Sequence, residues 1–304
     1  MKLQNGREDT ALLEFLPTED VKISENEPLS RHSSMKTGGP AAVAAFPKTT
    51  EALIQLIRAA GEHGLRHVIV GNASNILFND RGFDGLVIFT TGLRGIYWKE
   101  DNVRAECGVS LTALAGKAAE RGLSGLEFAY GIPGTVGGAV YMNAGAYGAE
   151  TADILVSSEY LRDGATLSRE KREHEFAYRS GIYQKTGEVI LSATFLLTPD
   201  DTAAVKARSD ANLRARKEKQ PLEYPNAGSI FKRPQGAFAG ALIEDAGLKG
   251  LRIGGAAVSE KHAGFIVNLG GATTDDVLRL IEAVRSEVFK QTGVLLEPEV
   301  IHIQ

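Results

Sequence analysis

The sequence predicts an α+β fold, because strand-like and helix-like patterns alternate along most of its 304 residues. Residues 41–77 contain a strand, a helix, a second strand and a sharply bent segment in succession. Residues 83–197 are richer in strands, with helical insertions between them. The length fits two or three domains, each large enough to bury a core.

Two helices of these regions carry complete start and stop signals. Thr49 or Thr50 can cap the first helix, and Gly64 ends it. Ser110 can cap the second helix, and Gly122 ends that one. Between these limits apolar residues recur at helical spacing, as in Leu53, Leu56, Ile57 and Ala60 of the first helix and Leu111, Leu114, Ala115 and Ala118 of the second.

The predicted strands are short apolar or alternating runs bounded by turn residues. They comprise residues 41–47, 67–70, 86–90, 96–98, 103–107, 154–162 and 188–197.

The last third of the chain is predicted to hold two long helices. The first runs from Asp200 to Lys219 and ends in the basic run RARKEK, which suits the negative end of a helix dipole. This run is interpreted as a solvated helix end, with contact to a phosphate as the alternative. A domain boundary is predicted just before it. The second helix begins at Thr274 and stops at Gly293, with one apolar face formed by Val277, Leu280, Ile281, Val284 and Val288.

Three further segments complete the prediction. Residues 1–30 are expected to form a lead-in with a short helix around Leu12 to Leu16. Residues 225–234 are bracketed by prolines and are predicted to be a loop. The chain is expected to end in a strand over residues 294–304.

The composition is that of an ordinary globular protein, with 43% hydrophobic and 24% charged residues. A net charge of −4 provides no general attraction for nucleic acid. No apolar run approaches the roughly 20 residues of a membrane span, and MKLQNGREDT lacks the apolar core of a secretory signal. The single Cys107 excludes an internal disulfide and a cysteine metal cluster, and no H-E-x-x-H spacing occurs. We therefore expect a cytoplasmic protein without a bound metal.

Residues 131–148, GIPGTVGGAVYMNAGAYG, form the most unusual segment of the chain. Six of them are glycine, and most of the others are small or apolar. A flexible linker would carry Ser, Lys and Glu instead, so this segment is predicted to be buried and tightly bent backbone. Successive N–H groups of such backbone can cradle an anion, typically a phosphate. A tightly packed structural turn fits the pattern equally well.

A second bent segment, VGNASNIL at residues 70–77, directly follows a predicted strand. Its N–H groups and the Ser74 hydroxyl could face a phosphate or the edge of a ring. Alternatively it is an ordinary turn, in which the side chains of Asn72 and Asn75 satisfy their own backbone. Neither the Rossmann pattern G-x-G-x-x-G nor the P-loop pattern occurs here.

Several polar residues are candidates for a catalytic or binding role. Arg179, amid predicted strands, needs a partner, which is either a structural carboxylate or an anionic substrate. Glu299 alternates with apolar residues in the predicted last strand, so it is expected to be buried and either paired or of raised pKa, unless that strand is an edge with both faces wet. Ser229 is a lone loop serine, and the absence of a G-x-S-x-G elbow argues against a serine hydrolase. His262 and His302 are interpreted as structural.

Six motifs occur in an order that resembles one protein family. They are T-G-G-P (37–40), VGNASNIL, IPGTVGGAVYMNAGAYG, YRSGIY (178–183), NAGSIFKRP (226–234) and LEPEV (296–300). Each is weak alone, but their ordered occurrence between about residues 31 and 304 is specific. The chain resembles the bacterial UDP-N-acetylenolpyruvoylglucosamine reductases, also called UDP-N-acetylmuramate dehydrogenases, which are flavoenzymes of peptidoglycan synthesis.

The resemblance implies a domain organisation and a reaction. Residues 1–30 would be a lead-in to an FAD-binding domain of the vanillyl-alcohol-oxidase type at 31–200, with α+β subdomains at about 31–85 and 86–200. Residues 201–304 would form an α+β substrate-binding domain. FAD would be bound without a covalent bond and reduced by NADPH. The reduced flavin would then reduce the enolpyruvyl group on UDP-N-acetylglucosamine to give UDP-N-acetylmuramate.

The resemblance also implies roles for individual residues. Arg179, Ser229 and Glu299 match the family's catalytic arginine, proton-donating serine and catalytic glutamate. The implied cofactor-binding residues are Gly71, Asn72, Ala73, Ser74, Asn75, Gly134, Thr135, Gly137, Gly138, Asn143 and Gly145. The implied substrate-binding residues are Tyr178, Lys217, Lys219, Lys232 and His262, with the choice between Lys217 and Lys219 open.

The chain departs from the family pattern in two places. Asn72 and Ala73 stand where many members have glycines, so that turn must accept a β-carbon at Ala73. No segment matches the tyrosine-bearing loop that covers the substrate in some members, so the chain resembles the subclass without it.

The expected partners are the UDP-sugar and NADPH, with neither nucleic acid nor membrane, and a monomer is expected. The alternatives are another FAD-dependent oxidase or dehydrogenase on the same fold, and a nucleotide-sugar-binding protein without catalysis.

Overall fold

The computed structural model describes residues 15–304, which form two compact units. The first unit contains residues 15–26, Ala42–Asn72 and Gly85–Arg214. The second unit contains Glu27–Ala41, Ala73–Asp84 and Ala215–Gln304. The short helix predicted from Leu12 onward begins outside the described residues.

Nineteen strands occur within residues 15–304. In chain order they are β1 (Val21–Pro28), β2 (Pro40–Pro47), β3 (His67–Val70), β4 (Ile76–Phe78), β5 (Phe83–Phe89), β6 (Ile96–Lys99), β7 (Asn102–Glu106), β8 (Leu123–Ser124), β9 (Gly145–Ala146), β10 (Ala149–Glu150), β11 (Leu155–Arg162), β12 (Ala165–Glu170), β13 (Val189–Leu196), β14 (Thr198–Pro199), β15 (Asn226–Ser229), β16 (Arg252–Ile253), β17 (Ala256–Val258), β18 (Phe265–Asn268) and β19 (Ile301–Ile303). The seven strands predicted between residues 41 and 197 correspond to β2, β3, β5, β6, β7, β11 and β13.

The α-helices of the described residues are α1 (Thr50–Glu62), α2 (Leu111–Glu120), α3 (Val136–Met142), α4 (Thr151–Ile154), α5 (Tyr183–Thr186), α6 (Thr202–Lys219), α7 (Ala239–Asp245) and α8 (Thr274–Thr292). Short 3₁₀ turns lie at Leu29–Arg31, Thr90–Gly92, Glu127–Ala129 and Lys171–His174. The four predicted helices are confirmed as α1, α2, α6 and α8. Across residues 15–304, no helix combines the length and the apolar character that crossing a membrane requires.

The larger sheets of the first unit have the strand orders β1-β2-β5-β3 and β12-β11-β13-β7-β6. Neighbouring strands of the five-stranded sheet are all antiparallel, whereas β3 and β5 are parallel. Thr49 Oγ1 accepts the N–H of Ala52 at 3.1 Å and so caps α1, and Ser110 caps α2 in the same way. The buried faces of both helices join the apolar residues of the strands in a single core.

The second unit packs helix α8 with an antiparallel sheet of order β15-β18-β17-β16. Thr273 Oγ1 accepts the N–H of Asp276 at 3.0 Å, and the Asp276 carboxylate accepts the N–H of Thr273 at 3.1 Å. This capping box starts α8, and Gly293, with a φ of 73°, ends it as predicted. Burying one large apolar side chain contributes about 1.5–3 kcal/mol, so the predicted stripe holds the helix on the core; its members Val277, Leu280, Ile281, Val284 and Val288 are all buried.

Three predicted segments differ from the structure. The bent backbone predicted at residues 131–148 includes a helix, α3, because Thr135 caps residues 136–142. The loop predicted at residues 225–234 begins with β15, which pairs with β18. The strand predicted at residues 294–304 is confined to β19, because its parallel partner β4 is only three residues long and Pro298 has no N–H for a ladder bond.

Candidate functional site

The two bent segments meet in the first unit. Asn72 Nδ2 donates to the carbonyl oxygen of Pro133 at 2.7 Å. A β-carbon added to Gly71 would overlap Thr135 Oγ1, so glycine is required for this close approach. Residues 71–72 and 133–135 therefore form one junction, which sequence spacing alone could not show.

The turn at residues 71–75 has unusual backbone. The turn accepts the β-carbon of Ala73, as expected: Ala73 is only 3% exposed and has a φ of 45°, a left-handed conformation. Among the described residues, none accepts a hydrogen bond from the backbone N–H groups of 71–75. Consecutive N–H groups left open in this way are suited to bind an anion.

In the central glycine-rich segment, some backbone N–H groups have acceptors within the protein and others do not. The N–H groups of Val136 and Gly137 donate to the carbonyl oxygens of Val109 and Cys107 at 2.9 and 2.8 Å. The N–H of Gly138 donates to Thr135 Oγ1 at 3.3 Å. These three donors are therefore satisfied within the protein, whereas the N–H groups of residues 134 and 135 have no acceptor within the described chain.

Gly137 serves close packing. A β-carbon at this position would lie 2.9 Å from Cys107 Cβ, which is closer than side chains pack. The same burial raises the pKa of the Cys107 thiol to about 12, so the thiol stays protonated and is not a nucleophile.

Arg179 lies in a tight turn in the first unit, between β12 and β13. Its guanidinium donates to the carbonyl oxygen of Gly145 at 2.8 Å and to that of Asn143 at 3.4 Å. The guanidinium carbon lies 5.1 Å from the centre of the Tyr178 ring, within the range of a cation–π contact. Tyr178 itself is 47% exposed, which suits a side chain that meets a ligand.

A buried polar network lies at the base of this turn. The carbonyl oxygen of His174 accepts the N–H of Ile182 at 2.7 Å. The His174 Nε2 lies 2.8 Å from Ser158 Oγ, which in turn lies 2.5 Å from the Tyr183 hydroxyl. Burial lowers the pKa of His174, so its imidazole is neutral and structural. The sequence offered no signal for this network, because His174 sits in the charged run KREHE.

Ser229 and Glu299 lie in the second unit, in segments that pair with each other. The N–H of Glu299 donates to the carbonyl oxygen of Ile230 at 2.7 Å, and the N–H of Lys232 donates to that of Glu297 at 2.9 Å. Residues 230–232 and 297–299 thus run side by side, directly after Ser229. The prediction that Glu299 lies on an apolar strand face is wrong, because it is half-buried and precedes β19.

The Ser229 hydroxyl is held by local geometry. It donates to the carbonyl oxygen of Phe231 at 3.2 Å. The preceding Gly228 has a φ of 78°, and its N–H donates to Asn226 Oδ1 at 3.0 Å. The carbonyl oxygen of Glu299 is fixed as well, by Asn75 Nδ2 at 3.1 Å.

His262 lies in a slot made by two glycines close to Ser229. Its Nδ1 accepts the N–H of Gly264 at 3.1 Å, and its ring packs edge-on against Phe265. A β-carbon on Gly264 would lie 3.0 Å from the His262 ring and 3.6 Å from Ser229 Oγ; one on Gly240 would lie 3.2 Å from the ring. Burial, then the nearby Lys249 charge, lowers the pKa of His262, so the imidazole is neutral near pH 7 with its proton on Nε2.

The three predicted substrate lysines also lie in the second unit. Lys232 Nζ pairs with the Glu297 carboxylate at 2.6 Å. Lys217 and Lys219 are exposed at the end of α6, where the Lys217 carbonyl oxygen accepts from Lys261 Nζ at 2.7 Å. The part of the chain that the structure describes contains no cluster of His, Cys, Asp and Glu that could hold a metal ion.

Family models match both parts of the chain. Residues 220–303 match the C-terminal domain of UDP-N-acetylenolpyruvoylglucosamine reductase, and residues 40–169 match an FAD binding domain.

Named relatives extend over nearly the whole chain. The UDP-N-acetylenolpyruvoylglucosamine reductase of Caldicellulosiruptor saccharolyticus is 47% identical over 285 residues, which is 92% of each chain. The one from Lactobacillus delbrueckii subsp. bulgaricus (strain ATCC BAA-365 / Lb-18) is 46% identical over 94% of this chain and 96% of that one. The crystal structure of the enzyme from Thermus caldophilus has a TM-score of 0.80 at 34% identity, covering 93% of this chain and 99% of that one.

These matches confirm the predicted fold class, an α+β FAD-binding fold followed by a C-terminal α+β region. They also agree with the ordered motifs of the sequence. The chain therefore belongs to the UDP-N-acetylenolpyruvoylglucosamine reductase family.

Proposed function

We propose that this chain is an NADPH-dependent flavoenzyme that reduces the enolpyruvyl group of UDP-N-acetylenolpyruvoylglucosamine to UDP-N-acetylmuramate in peptidoglycan synthesis. The names of its relatives support this reaction. The observation that carries the proposal is the pairing of residues 230–232 with 297–299, which brings the segments of Ser229 and Glu299 together. A protein that only bound a nucleotide sugar would not need a serine and a glutamate in this arrangement.

The open N–H groups at residues 71–75 fit a phosphate of FAD, and so do those at residues 134–135, because anions bind where consecutive backbone donors are left open. We infer that these residues hold FAD without a covalent bond, with Gly71 permitting the junction. The N–H groups of Gly137 and Gly138 and the side chain of Asn143 have protein partners, so these residues are assigned to the shape of the site. FAD held at these residues would supply the hydride-transfer chemistry, with NADPH as the hydride source and the enolpyruvyl group as the acceptor.

Arg179 is assigned to the charge that develops during reduction. Hydride adds to the outer carbon of the enol ether, so negative charge builds on the inner carbon and spreads into the attached carboxylate. A fixed cation at that carboxylate stabilises the charge, and losing one such donor in other enzymes costs about 2.7–4 kcal/mol. The two carbonyl oxygens that accept from Arg179 fix the guanidinium for this task.

Ser229 is assigned as the donor of the proton to the inner carbon. A serine hydroxyl is a very weak acid, but the carbanionic intermediate is a strong base, so the transfer is reasonable. General acid catalysis of this kind is worth about 10²–10⁴ in rate. Glu299, when protonated, is proposed to donate a hydrogen bond to the same developing charge. Replacing Glu299 by Gln should therefore slow the second half-reaction more than the first.

We propose residues 31–200 as the FAD-binding domain and 201–304 as the substrate-binding domain. His262, whose neutral ring lies near Ser229, and Lys232 are proposed to contact the substrate, together with Tyr178 and either Lys217 or Lys219. The chain is proposed to act as a cytoplasmic monomer without the tyrosine-bearing loop.

The test is anaerobic stopped-flow spectroscopy of the flavin. We expect NADPH to bleach the oxidised flavin absorbance, and UDP-N-acetylenolpyruvoylglucosamine to restore it. Ser229→Ala should leave the first phase intact and block the second; normal turnover of this variant would refute the proton-donor assignment.

The same experiment separates the alternatives. If the NADPH-reduced protein is afterwards mixed with oxygenated buffer, reoxidation by oxygen but not, anaerobically, by the sugar nucleotide would identify another flavin oxidase. A colourless protein that cannot be reconstituted with FAD would favour a binding protein without catalysis.

A further inference from the structure

The turn that carries Arg179 has a strained backbone. Ala177 and Ser180 exchange two backbone hydrogen bonds, each 3.1 Å long, and close a four-residue turn around Tyr178 and Arg179. Arg179 has a φ of 52°, a left-handed conformation that residues with a β-carbon rarely adopt. Such a conformation persists only where surrounding contacts impose it. The side-chain amides of Asn143, at the end of α3, and of Gln184, in α5, supply contacts of this kind.

Asn143 is the first of them. It is fully buried and forms the left-handed C-cap of α3, with a φ of 43°. Its Nδ2 donates to the carbonyl oxygen of Ala177 at 3.1 Å, and its Oδ1 accepts the N–H of Ala152 at 2.9 Å. Its own carbonyl oxygen and that of Gly145 accept from the Arg179 guanidinium. One residue therefore contacts both the backbone of the turn and the arginine side chain.

Gln184 is the second amide. Its Nε2 lies 2.9 Å from the carbonyl oxygen of Tyr141, in the last turn of α3. The same nitrogen lies 3.1 Å from the carbonyl oxygen of Arg179. Gln184 thus bridges the helix end and the arginine backbone from an exposed position.

We propose that Asn143 and Gln184 are positioning residues that set the Arg179 guanidinium for reduction of the enolpyruvyl group. This inference rests on the proposed function, because it uses the role assigned there to Arg179. An amide suits the task, since it donates and accepts hydrogen bonds without adding charge beside the cation. It also gives Asn143 a role other than direct FAD contact, because both ends of its side chain are already bonded within the protein.

Holding the Arg179 guanidinium in place matters because the rate of catalysis depends strongly on the position of the reacting groups. A displacement of about 1 Å at a reacting group can cost about 10²-fold in rate. The guanidinium is held by the Asn143 and Gly145 carbonyl oxygens, and the turn beneath it by the two amides. Loss of either amide hydrogen bond lets the turn relax from its left-handed conformation and carries the guanidinium with it.

The experiment measures both half-reactions of five holoenzyme variants, namely three single amide variants, Arg179→Ala, and Arg179→Ala combined with Asn143→Asp. Asn143→Asp keeps the shape and the tolerance for positive φ but replaces the N–H donors with a carboxylate oxygen, which also adds a negative charge, as the control variant does. Gln184→Met keeps the length of the side chain and loses its hydrogen-bond donors. Because this side chain is exposed, we expect the variant to fold. The matched control is Asn268→Asp, because the buried Asn268 likewise donates to one carbonyl oxygen, that of Met35, and accepts backbone N–H groups.

We expect flavin reoxidation by UDP-N-acetylenolpyruvoylglucosamine to slow about 10- to 100-fold in Asn143→Asp and about 3- to 10-fold in Gln184→Met. Flavin reduction by NADPH and the flavin absorbance spectrum should be unchanged in both. Asn268→Asp should leave both half-reactions as in the parent protein. Adding Asn143→Asp to Arg179→Ala should cause no further slowing, because the amide acts through the arginine.

Other outcomes would overturn either the positioning role or the role given to Arg179. One such outcome is that Asn143→Asp slows reoxidation further when it is added to Arg179→Ala. Another is a shifted flavin spectrum with weaker FAD binding. Either result would overturn the positioning role and assign Asn143 to the cofactor. Normal reoxidation in both single variants, with Arg179→Ala impaired, would also overturn it. Normal reoxidation in Arg179→Ala itself would instead refute the role given to Arg179 in the proposed function.

Discussion

The two bent segments of this protein, residues 70–77 and 131–148, use glycine for different purposes. The first has one glycine, yet the N–H groups of residues 71–75 have no acceptor among the described residues. The second has six glycines, yet the N–H groups of residues 136–138 are satisfied by Val109, Cys107 and Thr135. Glycine content therefore marks close packing, whereas unsatisfied consecutive donors mark the better candidate for an anion cradle.

The difference follows from what each backbone does next. After Thr135 the chain enters α3, and a helix needs its first N–H groups capped by nearby acceptors. At residues 71–75 the chain turns through the left-handed Ala73 and makes no helix. The following substitutions test whether the two segments differ in this way.

The largest effect is expected for Gly71→Ala. The added β-carbon would overlap Thr135 Oγ1 and force the two segments apart, so we expect FAD to bind about 100-fold more weakly, which corresponds to about 2.7 kcal/mol. Titration of the apoprotein with FAD, followed by flavin fluorescence, measures this change. Unchanged affinity would show that the junction of residues 71–72 with 133–135 is not part of the cofactor site.

A matched control is available for that substitution. Gly61 lies within α1 with no atom within 4 Å of an added β-carbon. Gly61→Ala should leave FAD affinity unchanged and raise the free energy of unfolding by about 0.5–1 kcal/mol, because alanine is the better helix former.

The second effect should appear in stability. In Gly137→Ala the new β-carbon would lie 2.9 Å from Cys107 Cβ, so overpacking should lower the free energy of unfolding by about 1–3 kcal/mol. Urea unfolding of the apoprotein measures it, with Gly116→Ala as control, since that β-carbon would meet only Tyr130 at an ordinary 3.6 Å. A large loss of FAD affinity in folded Gly137→Ala would mean that this segment contacts the cofactor directly after all.

The elements with strong local signals could be predicted from the sequence. Thr49, Ser110 and Gly293 bound helices where expected, because caps and left-handed stops are local chemistry. The bounds of the last strand could not be predicted, because its length depends on the three-residue partner β4 far away in the chain. Glu299 was misplaced for the same reason, since its backbone bonds to Ile230 before β19 begins.

The site residues divide in the same way, into those that a local motif identifies and those whose role depends on contacts elsewhere in the fold. The motifs identified Arg179 and Ser229 as candidates, and the turn that holds Arg179 and the end of β15 that holds Ser229 lie at those motifs. The supporting residues were not predicted in these roles, because the hydrogen bonds of Asn143 to Ala177 and of His174 to Ile182 depend on tertiary contacts or turn geometry that no periodicity records.

A smaller effect is expected where the central segment enters its helix. Thr135→Val keeps the side-chain shape but removes the Oγ1 that accepts the N–H of Gly138, so the free energy of unfolding should fall by about 1 kcal/mol. Thr135→Ser retains the oxygen and should lose much less. Thermal unfolding of the apoproteins compares them; equal losses in the two variants would show that the methyl group, not the cap, is what the position needs.

The smallest effect is expected for Ala73→Gly, which tests the left-handed turn of the first segment. Relief of the strained φ should gain about 1–2 kcal/mol. Loss of the buried methyl group costs about 0.8 kcal/mol, and the greater freedom of the unfolded glycine costs about 0.5–1 kcal/mol. The free energy of unfolding should therefore change by no more than about 0.8 kcal/mol in either direction, as the sum of these terms. Ala73→Val should be clearly destabilised, because a β-branched side chain fits a φ of 45° poorly. A stabilisation above about 1 kcal/mol in Ala73→Gly would show that alanine strains this turn more than these opposing terms allow.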